Sequence, residues 1–138
     1  MFDTASGDAL FTISGMGTDS PVAAFSPDSA TIVTCGPDGT ITRWNSSTGE
    51  AISTFAVPTD LVQGATIQAW TIVFSADGSK LAVTYSGESF YRVTIVWNVS
   101  SGARLIHVTD LYQPTFSPDG TRLAGVSDAS NFINTYAV

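Results

Sequence analysis

The chain has 138 residues, of which 43% are hydrophobic and 12% charged, and its formal net charge is −7. This composition excludes a disordered chain, because disorder requires low hydrophobicity and high charge. The acidic excess offers no basic patch to nucleic acid or to anionic lipid, and no run of about 18 apolar residues predicts a membrane span, so we expect neither a nucleic acid nor a membrane as partner.

Short strand-like runs separated by turn residues follow one another along the chain. In chain order they cover residues 8–13, 31–35, 39–44, 80–85, 93–97 and 122–126. They are rich in β-branched and aromatic residues and are bounded by Gly, Pro, Asp or Ser, which is typical of β-strands. No segment keeps a period of about 3.6 residues over several turns, so the sequence predicts an all-β protein.

Two motifs recur and divide the chain into repeats. A turn motif, Phe-Ser-Pro-Asp-Gly in its fullest form, occurs at residues 25–29, 74–78 and 116–120. A second motif, Trp-Asn followed by a Ser/Thr-Gly pair, occurs at residues 44–49 and 97–102, with a degenerate copy at residues 2–7. Aromatic residues at 2, 44, 97 and 136 thus mark periods of 42, 53 and 39 residues. Two hairpins in each period of this length indicate the four-stranded blade of a β-propeller.

The last position of the turn motif carries a conformational requirement. Proline presets the backbone for the first central turn position, and glycine adopts the left-handed conformation that lets strand pairing resume. Gly78 and Gly120 occupy this position in the second and third repeats, whereas Ser29 occupies it in the first. We therefore expect the turn at Ser29 to be the most strained of the three.

These repeats resemble those of the WD-repeat family over essentially the whole chain. The matching features are the turn motif, the Pro-Asp-Gly-Thr-Ile run at residues 37–41, and Trp-Asn in place of the family's Trp-Asp. No repeat keeps the family's Gly-His pair, and Met16 stands where the buried Asp–His–Ser/Thr–Trp network of the first repeat would have its histidine. Thr34, Asp38 and Trp44 would be the remaining members of that network. The nearest alternative is a propeller resembling the periplasmic Tol-system protein, which would need a signal peptide that the first residues do not form.

The resemblance implies about three four-stranded antiparallel blades in a single domain, 1–138. Two blades would cover about 15–55 and 64–106, and a split blade would combine 2–13 with 107–138. The residues in the structural positions of the repeat are Trp44, Trp97, Tyr136, Asp38, Gly78 and Gly120. Because closed propellers have about 4 to 8 blades, we expect either part of a longer propeller or one protomer of a ring assembled from copies of the chain.

The resemblance implies a protein-interaction scaffold, and two long connections indicate where it would bind. Because blade strands alternate in direction, the long linker near Asp60 and the long turn near Glu88 emerge at the same end of the blades. Extra loop at one end is typical of a binding surface in repeat proteins, with neutral loop growth as the alternative. The residues of the candidate partner-binding face are Asp60, Gln63, Trp70, Glu88, Phe90, Tyr91, Arg92 and Tyr112.

The chain carries few residues suited to catalysis. His107 is its single histidine and Cys35 its single cysteine, which favours a buried structural thiol and gives no nucleophile–base pair or metal-ligand spacing. Counted from Phe116, His107 would fall in the Gly-His position, whereas counted from Gly102 it would lie within a strand. We expect no catalytic residue, cofactor or metal, and an intracellular protein of the cytoplasm, with the nucleus left open. A structural arc of a larger propeller and a fragment of a propeller-type hydrolase or ligand-binding protein remain the alternative functions.

Overall fold

The computed structural model describes residues 1, 5–14, 22–58, 68–87, 92–127 and 133–138. Within these ranges the chain forms β-strands and no helix. The strands are β1 (Val22–Phe25), β2 (Thr31–Cys35), β3 (Ile41–Asn45), β4 (Ala51–Phe55), β5 (Gln68–Phe74), β6 (Lys80–Ser86), β7 (Arg92–Asn98), β8 (Arg104–Thr109), β9 (Leu111–Phe116), β10 (Arg122–Ser127) and β11 (Ile133–Ala137).

The strands form three antiparallel sheets, here called blades 1, 2 and 3. Blade 1 contains β1 to β4 and blade 2 contains β5 to β8, each in sequence order, while blade 3 has the order β11-β10-β9. The prediction of an all-β fold of propeller blades is confirmed. Where three four-stranded blades were expected, the third has three strands in the described part of the chain, and β11 forms its outer edge.

The border between blades 2 and 3 differs from the predicted one. The whole of β8 belongs to blade 2, because it pairs with β7 along its length, so a border between residues 106 and 107 would cut a strand. His107 lies in β8 opposite Ile95 and is exposed, which agrees with the count made from Gly102. Asp110 alone separates β8 from β9, and its φ of 57° places it in the left-handed region.

Residues 8–13 do not form the predicted strand. Ala9 makes one isolated bridge, and the amide of Leu10 donates to the carbonyl of Met1 at 2.9 Å. The N-terminal ammonium of Met1 donates to the carbonyl of Phe11 at 2.7 Å. The Phe11 ring also lies on blade 1, where a Cβ added to Gly49 would stand 2.8 Å from it. The Phe11 ring thus places this segment against blade 1, while its backbone hydrogen bonds run to Met1.

The central strands of blade 2, β6 and β7, are buried on both faces. Leu81 and Val83 of β6 belong to a core cluster shared with blade 1, and Ala82 between them belongs to a second cluster that includes Leu111 and Leu123 of blade 3. Successive side chains of a strand point to opposite faces, so a strand between two neighbours needs apolar residues at every position. This explains why β6 and β7 are apolar at most successive positions, with Thr84 and Thr94 as the buried polar residues inside them.

The turns between the first two strands of each blade lie against one another at one end of the blades, here called the turn end (residues 26–30, 75–79 and 117–121). The position of a Cβ on Gly78 lies 3.5 Å from Cδ of Pro27, and that of Gly120 lies 3.6 Å from Cβ of Ser75. The Lys80 ammonium donates to the carbonyl of Gly120 at 2.7 Å. Neighbouring blades are therefore joined to each other through the turn end.

The left-handed positions of the turns are those expected from the motif. The φ angles are 60° at Ser29, 72° at Gly78 and 67° at Gly120, so Ser29 carries a side chain where the other repeats have none. The turn aspartate adds bonds that the sequence analysis did not anticipate: Asp77 Oδ1 accepts from the Ser75 hydroxyl at 2.6 Å and from the Ser79 amide at 3.0 Å. Hydrogen bonds of this kind stabilise the carboxylate and lower the pKa of Asp77 to about 2.

The two tryptophans in the blade-packing positions differ in their hydrogen bonds. Trp44 Nε1 donates to Thr34 Oγ1 at 2.9 Å. Val83 occupies the position on β6 that matches Thr34, and within the described residues the buried Nε1 of Trp97 makes no hydrogen bond. Asp38 accepts from both the amide and the hydroxyl of Thr40, at 2.9 and 2.8 Å, in its own turn. The hydrogen bond from Trp44 to Thr34 therefore corresponds to the Trp–Ser/Thr contact of the family's buried Asp–His–Ser/Thr–Trp network.

Two further sequence positions have the predicted structural character. Cys35 is buried at 1% exposure, and burial raises the pKa of its thiol to about 12, as expected for a structural residue. Tyr136 of β11 pairs with Leu123 of β10 and packs on the cluster shared by blades 2 and 3. It thus fills the last of the four aromatic positions that mark the repeats.

Candidate functional site

The end of the blades opposite the turn end is here called the inserted end, and the described parts of its connections are residues 36–40, 56–58, 87 and 110. Of the eight residues predicted to bind a partner there, Trp70, Arg92 and Tyr112 belong to the described part of the chain. The other predicted residues lie outside the described residues: Asp60, Gln63, Glu88, Phe90 and Tyr91.

The three described residues lie on strands and not in loops. Arg92, predicted in a long turn, is the first residue of β7, and Tyr112, predicted in a linker, is the second residue of β9. Trp70 is the third residue of β5. A functional group on a strand is held more precisely than one on a loop.

Trp70 is displayed by a β-bulge. Ala69 pairs with Tyr85 and Thr71 with Thr84, so Trp70 is an extra residue in β5 with no partner in β6. Bulges of this kind redirect a side chain and are common next to binding sites. The Trp70 side chain is 64% exposed, the largest exposed aromatic surface among the described residues.

Tyr112 occupies the place in blade 3 that Trp70 occupies in blade 2, since each lies four residues before its turn phenylalanine. The pairing of β9 is also irregular, and Gln113 there has a φ of 50°. Together with Asp110, two non-glycine residues adopt the left-handed conformation around Tyr112, each at a cost of about 1–2 kcal/mol. Such strain is concentrated at functional sites in proteins.

Arg92 and Tyr112 are held together across blades 2 and 3. The guanidinium carbon of Arg92 lies 4.8 Å from the centroid of the Tyr112 ring, which is the geometry of a cation–π contact. The carbonyl of Arg92 also accepts from the amide of Asp110 at 2.9 Å. The start of β9 and the start of β7 are thereby fixed relative to each other.

A buried hydroxyl pair supports the same junction. Thr94 Oγ1 donates to the carbonyl of Leu111 at 2.7 Å, and it lies 2.8 Å from Thr84 Oγ1. Both threonines are buried, at 0% and 1% exposure, and hydrogen bonds in such surroundings are strong and specific. They hold the first residues of β9 on blade 2.

A pocket of about 370 Å³, here called the blade 2–3 pocket, lies at this junction. Its volume is at the lower end of the range for small-ligand sites. The described residues that line it are Trp70, Thr71, Thr84, Arg92, Tyr112 and Gln113. Sequence reasoning identified the two aromatics and the arginine but missed Thr71, Thr84 and Gln113, because only the strand register and the packing of the two blades bring them here.

Within the described residues, no group of His, Cys, Asp and Glu is arranged to hold a metal ion. Asn45 and Asn98 each begin an Asn-X-Ser triplet, the acceptor pattern for N-glycosylation. Their amide oxygens are used within their own turns, where Asn45 accepts from the amides of Ser47 and Thr48 and Asn98 from those of Ser100 and Ser101. The described segments include no helix long and apolar enough to cross a membrane.

Comparison with known proteins agrees with this architecture. A crystal structure of a Bacteroides uniformis protein assigned as a 6-phosphogluconolactonase superposes with a TM-score of 0.60 and 20% sequence identity, over 83% of this chain and 35% of the other. The chain therefore spans about a third of the length of that protein, and the similarity shows the fold alone. No curated protein matches the sequence. The WD domain, G-beta repeat family matches residues 7–45. The resemblance is thus confirmed over residues 7–45, which match a WD40 repeat within an all-β fold of propeller blades.

Proposed function

We propose that the chain is a protein-interaction module that binds its partner at the inserted end of blades 2 and 3. The observation that carries this proposal is the meeting of Trp70, Arg92 and Tyr112 around one pocket at the ends of three strands. Trp, Tyr and Arg are the residues most enriched at the energetic centres of protein interfaces. Their placement on strands keeps them preorganised, which lowers the entropy cost of binding.

The opposite end supports this choice of surface. The turn end is occupied by contacts between blades, such as the bond from Lys80 to Gly120 and the packing of Pro27 on Gly78. Its aspartates are likewise engaged, since Asp28 accepts from the Ser26 hydroxyl and the Ala30 amide. Side chains used to hold the blades together contribute little to recognising a partner.

The proposed module has no catalysis of its own. WD40 repeats are in general interaction units, and the lactonase likeness is restricted to fold at 20% identity. Cys35 is buried with a raised thiol pKa, and His107 lies exposed on the outer strand of blade 2, so these two groups do not form a nucleophile–base pair. No observation on the described residues favours a hydrolase.

Blade 3 supports a second, structural partner for the proposed module. Within the described ranges, its edge strand β11 has no neighbouring strand on one side, and such edges pair readily with added strands. Residues 8–13 follow Gly7, whose φ of 77° matches the 75° of Gly49 and 69° of Gly102 just before β4 and β8. We propose that this segment is the fourth strand of a blade shared with a second copy or with the remainder of a longer propeller.

Peptide selection tests the proposed binding end. Peptides are selected from a random displayed library against the purified chain, and their affinities are measured by calorimetry for Trp70→Ala and Arg92→Ala. We expect each variant to weaken binding by about thirtyfold, as for an interface hot spot, with little change in melting temperature for the exposed Trp70. Asp28→Asn and Ser47→Ala at the turn end are the controls. If the controls abolish binding and the pocket variants do not, the partner binds elsewhere and the proposal is wrong.

A further inference from the structure

We propose that two copies of the chain close a ring of six blades, in which blade 3 of each copy packs its sheet face against blade 1 of the other. In each blade, the front is the sheet face turned toward the blade before it in the chain, and the back is the opposite face. This contact lies apart from the pocket at the inserted end. It rests on the proposed pairing of residues 8–13 with blade 3 and adds the sheet faces that meet.

The back of blade 3 is exposed at a position that the other two blades bury. Ile133 stands three residues before the repeat aromatic, as Ile41 does in blade 1 and Thr94 in blade 2. Ile41 and Thr94 are fully buried on the backs of their blades, whereas Ile133 is 75% exposed. Ala124 and Thr135 pair with each other on the same face of blade 3. Blade 3 therefore presents a back of the kind that blades 1 and 2 cover with a following blade.

The front of blade 1 shows the complementary exposure. Phe25 is 51% exposed, whereas the corresponding Phe74 and Phe116 are half-buried against the core clusters that they share with the preceding blade. Phe25 pairs with Ile32 on the front of blade 1 and borders a mainly apolar pocket of about 300 Å³, which Phe11 also lines. The front of blade 1 thus keeps an open apolar surface at the place where a preceding blade would pack.

The two interfaces between blades of one chain each bring a large residue of a front into one cluster with a small residue of a back. Leu81 shares a buried cluster with Val33, and Leu123 shares one with Ala82. Large side chains that fill the space left by small ones give protein interiors their dense packing. The front of blade 1 and the back of blade 3 carry one more such pair, at the same distances from their turn phenylalanines. This pair is Ile32 and Ala124.

The turn end supplies a polar contact for the same interface. Lys80 and Arg122 both stand six residues after the turn phenylalanine, and the Lys80 ammonium donates to the carbonyl of Gly120 in the following blade at 2.7 Å. Ser29 occupies the Gly120 position in blade 1, so the exposed Arg122 of one copy can donate to the Ser29 carbonyl of the other. This carbonyl accepts from the Ser46 hydroxyl at 2.6 Å, and a carbonyl oxygen has a second lone pair.

Residues 8–13 indicate what packs in front of blade 1. A Cβ added to Gly49 would stand 2.8 Å from the Phe11 ring, and one added to Gly102 would stand 3.4 Å from Phe55 of the outer strand β4. Residues 8–13 therefore take the place of the outer strand of a preceding blade. The other three strands of such a blade are those that blade 3 has in the described part of the chain. Blade 2 separates blade 3 from blade 1 within one chain, so blade 3 of a second copy supplies them.

The number of blades limits the ring to two copies. Closed propellers have about 4 to 8 blades, and each copy contributes the three blades described above, so two copies give six and three copies exceed the range. A ring of two copies contains the same junction twice, so each open front is covered by an open back.

Sedimentation equilibrium of the purified chain tests the ring. Measurements are made at high ionic strength, because the net charge of −7 on each copy opposes association at low salt. We expect twice the mass of one chain. Phe25→Glu on the front of blade 1 and Thr135→Glu on the back of blade 3 should each weaken association at least about a hundredfold, because an unpaired carboxylate would be buried at a junction. Leu105→Glu should leave the dimer intact, since Leu105 is an exposed residue of the outer strand of blade 2.

A mixture of the Phe25→Glu and Thr135→Glu chains tests whether two separate junctions hold the dimer. The unmodified back of blade 3 in the first variant can meet the unmodified front of blade 1 in the second, so one intact junction remains. We expect the mixture to associate at concentrations at which each variant alone is a monomer. A mixture that stays monomeric would assign the dimer to a single patch containing both residues, and the ring would be wrong.

The outcomes also separate the ring from the proposed function. Circular dichroism melts of the variants serve as the folding control. A monomeric unmodified chain overturns the ring without reliance on any variant, while peptides that bind at Trp70 in that monomer leave the proposed binding end standing. A dimer that survives both glutamate substitutions but is lost on deletion of residues 8–13 is held by strand pairing alone. The proposed pairing then stands, and the packing of the sheet faces is wrong.

Discussion

The left-handed turn position gives the sharpest test of the repeat structure, through Gly120→Val and Ser29→Gly. At Gly120, with φ of 67°, an added Cβ would lie 3.6 Å from Ser75, an ordinary contact, so the cost comes from the backbone conformation and not from overlap. A side chain there costs about 1–2 kcal/mol, and a β-branched one lies at the upper end or above. We expect Gly120→Val to destabilise the chain by about 2 kcal/mol.

Ser29→Gly should act in the opposite sense or not at all. Removing the side chain at φ of 60° relieves about 1–2 kcal/mol of strain in the folded chain. The greater conformational freedom of glycine in the unfolded chain lowers the free energy of unfolding by roughly 0.5–1 kcal/mol. The net result is between about zero and 1 kcal/mol of added stability. The two variants should therefore differ by about 2–3 kcal/mol in free energy of unfolding.

Urea denaturation followed by circular dichroism measures both values, because the midpoint shifts with stability while the slope stays constant. Ala30→Val is the matched control, since it places the same β-branched side chain beside a turn at an exposed residue outside the left-handed region. Its effect should be small. Equal shifts of Gly120→Val and Ser29→Gly in the same direction would refute the turn assignment.

Three further predictions follow from contacts elsewhere in the blades. Thr34→Val should destabilise the chain by about 1 kcal/mol, because it removes the hydroxyl that accepts from Trp44 Nε1. Val83→Thr supplies a hydroxyl that can accept from Trp97 Nε1, so it should destabilise the chain less or stabilise it. Thermal melts of the two variants compare these effects. The hydrogen bonds to the carboxylates of Asp77 and Asp119 lower their pKa values from 3.8 to about 2. These carboxylates therefore stabilise the folded chain above about pH 4, and the stabilisation is lost as the pH falls toward 2. Asp77→Asn and Asp119→Asn should each make the melting temperature fall less steeply over that pH range. If residues 8–13 complete blade 3 of a second copy, light scattering should show an assembly of two or more chains. Deletion of residues 8–13 should abolish this assembly. A compact monomer with a cooperative melt would count against the pairing.

Local chemistry explains why the turns and five of the eleven strands could be predicted from the sequence. Pro, Asp and Gly impose their backbone geometry over a few residues, so even the exceptional Ser29 was correctly placed in the left-handed region. The strands β2, β6 and β7 were found because β-branched and aromatic runs between turn residues have few other structures available.

The features that escaped prediction depend on contacts between distant residues. The border at β8 was missed because the linker to β9 is Asp110 alone, and a non-glycine residue with positive φ leaves no mark in the sequence. The bulge at Trp70 follows from the register of β5 on β6, which the residue pattern does not specify. The predicted strand at residues 8–13 requires a neighbouring strand, and within the described residues the pairing of this segment is limited to one bridge and the hydrogen bonds to Met1.

The concentration of inter-blade contacts at the turn end has a consequence for how such a chain can change during evolution. Pro27, Ser75 and Lys80 fix each blade to the next through turns of uniform length, so a deletion or insertion there would separate neighbouring blades. The inserted end joins blades 2 and 3 mainly through Arg92, Thr94 and the first residues of β9, and its other connections can lengthen without moving a blade. Gains and losses of residues should accordingly accumulate at one end of the propeller, where new side chains meet solvent and can acquire a binding partner.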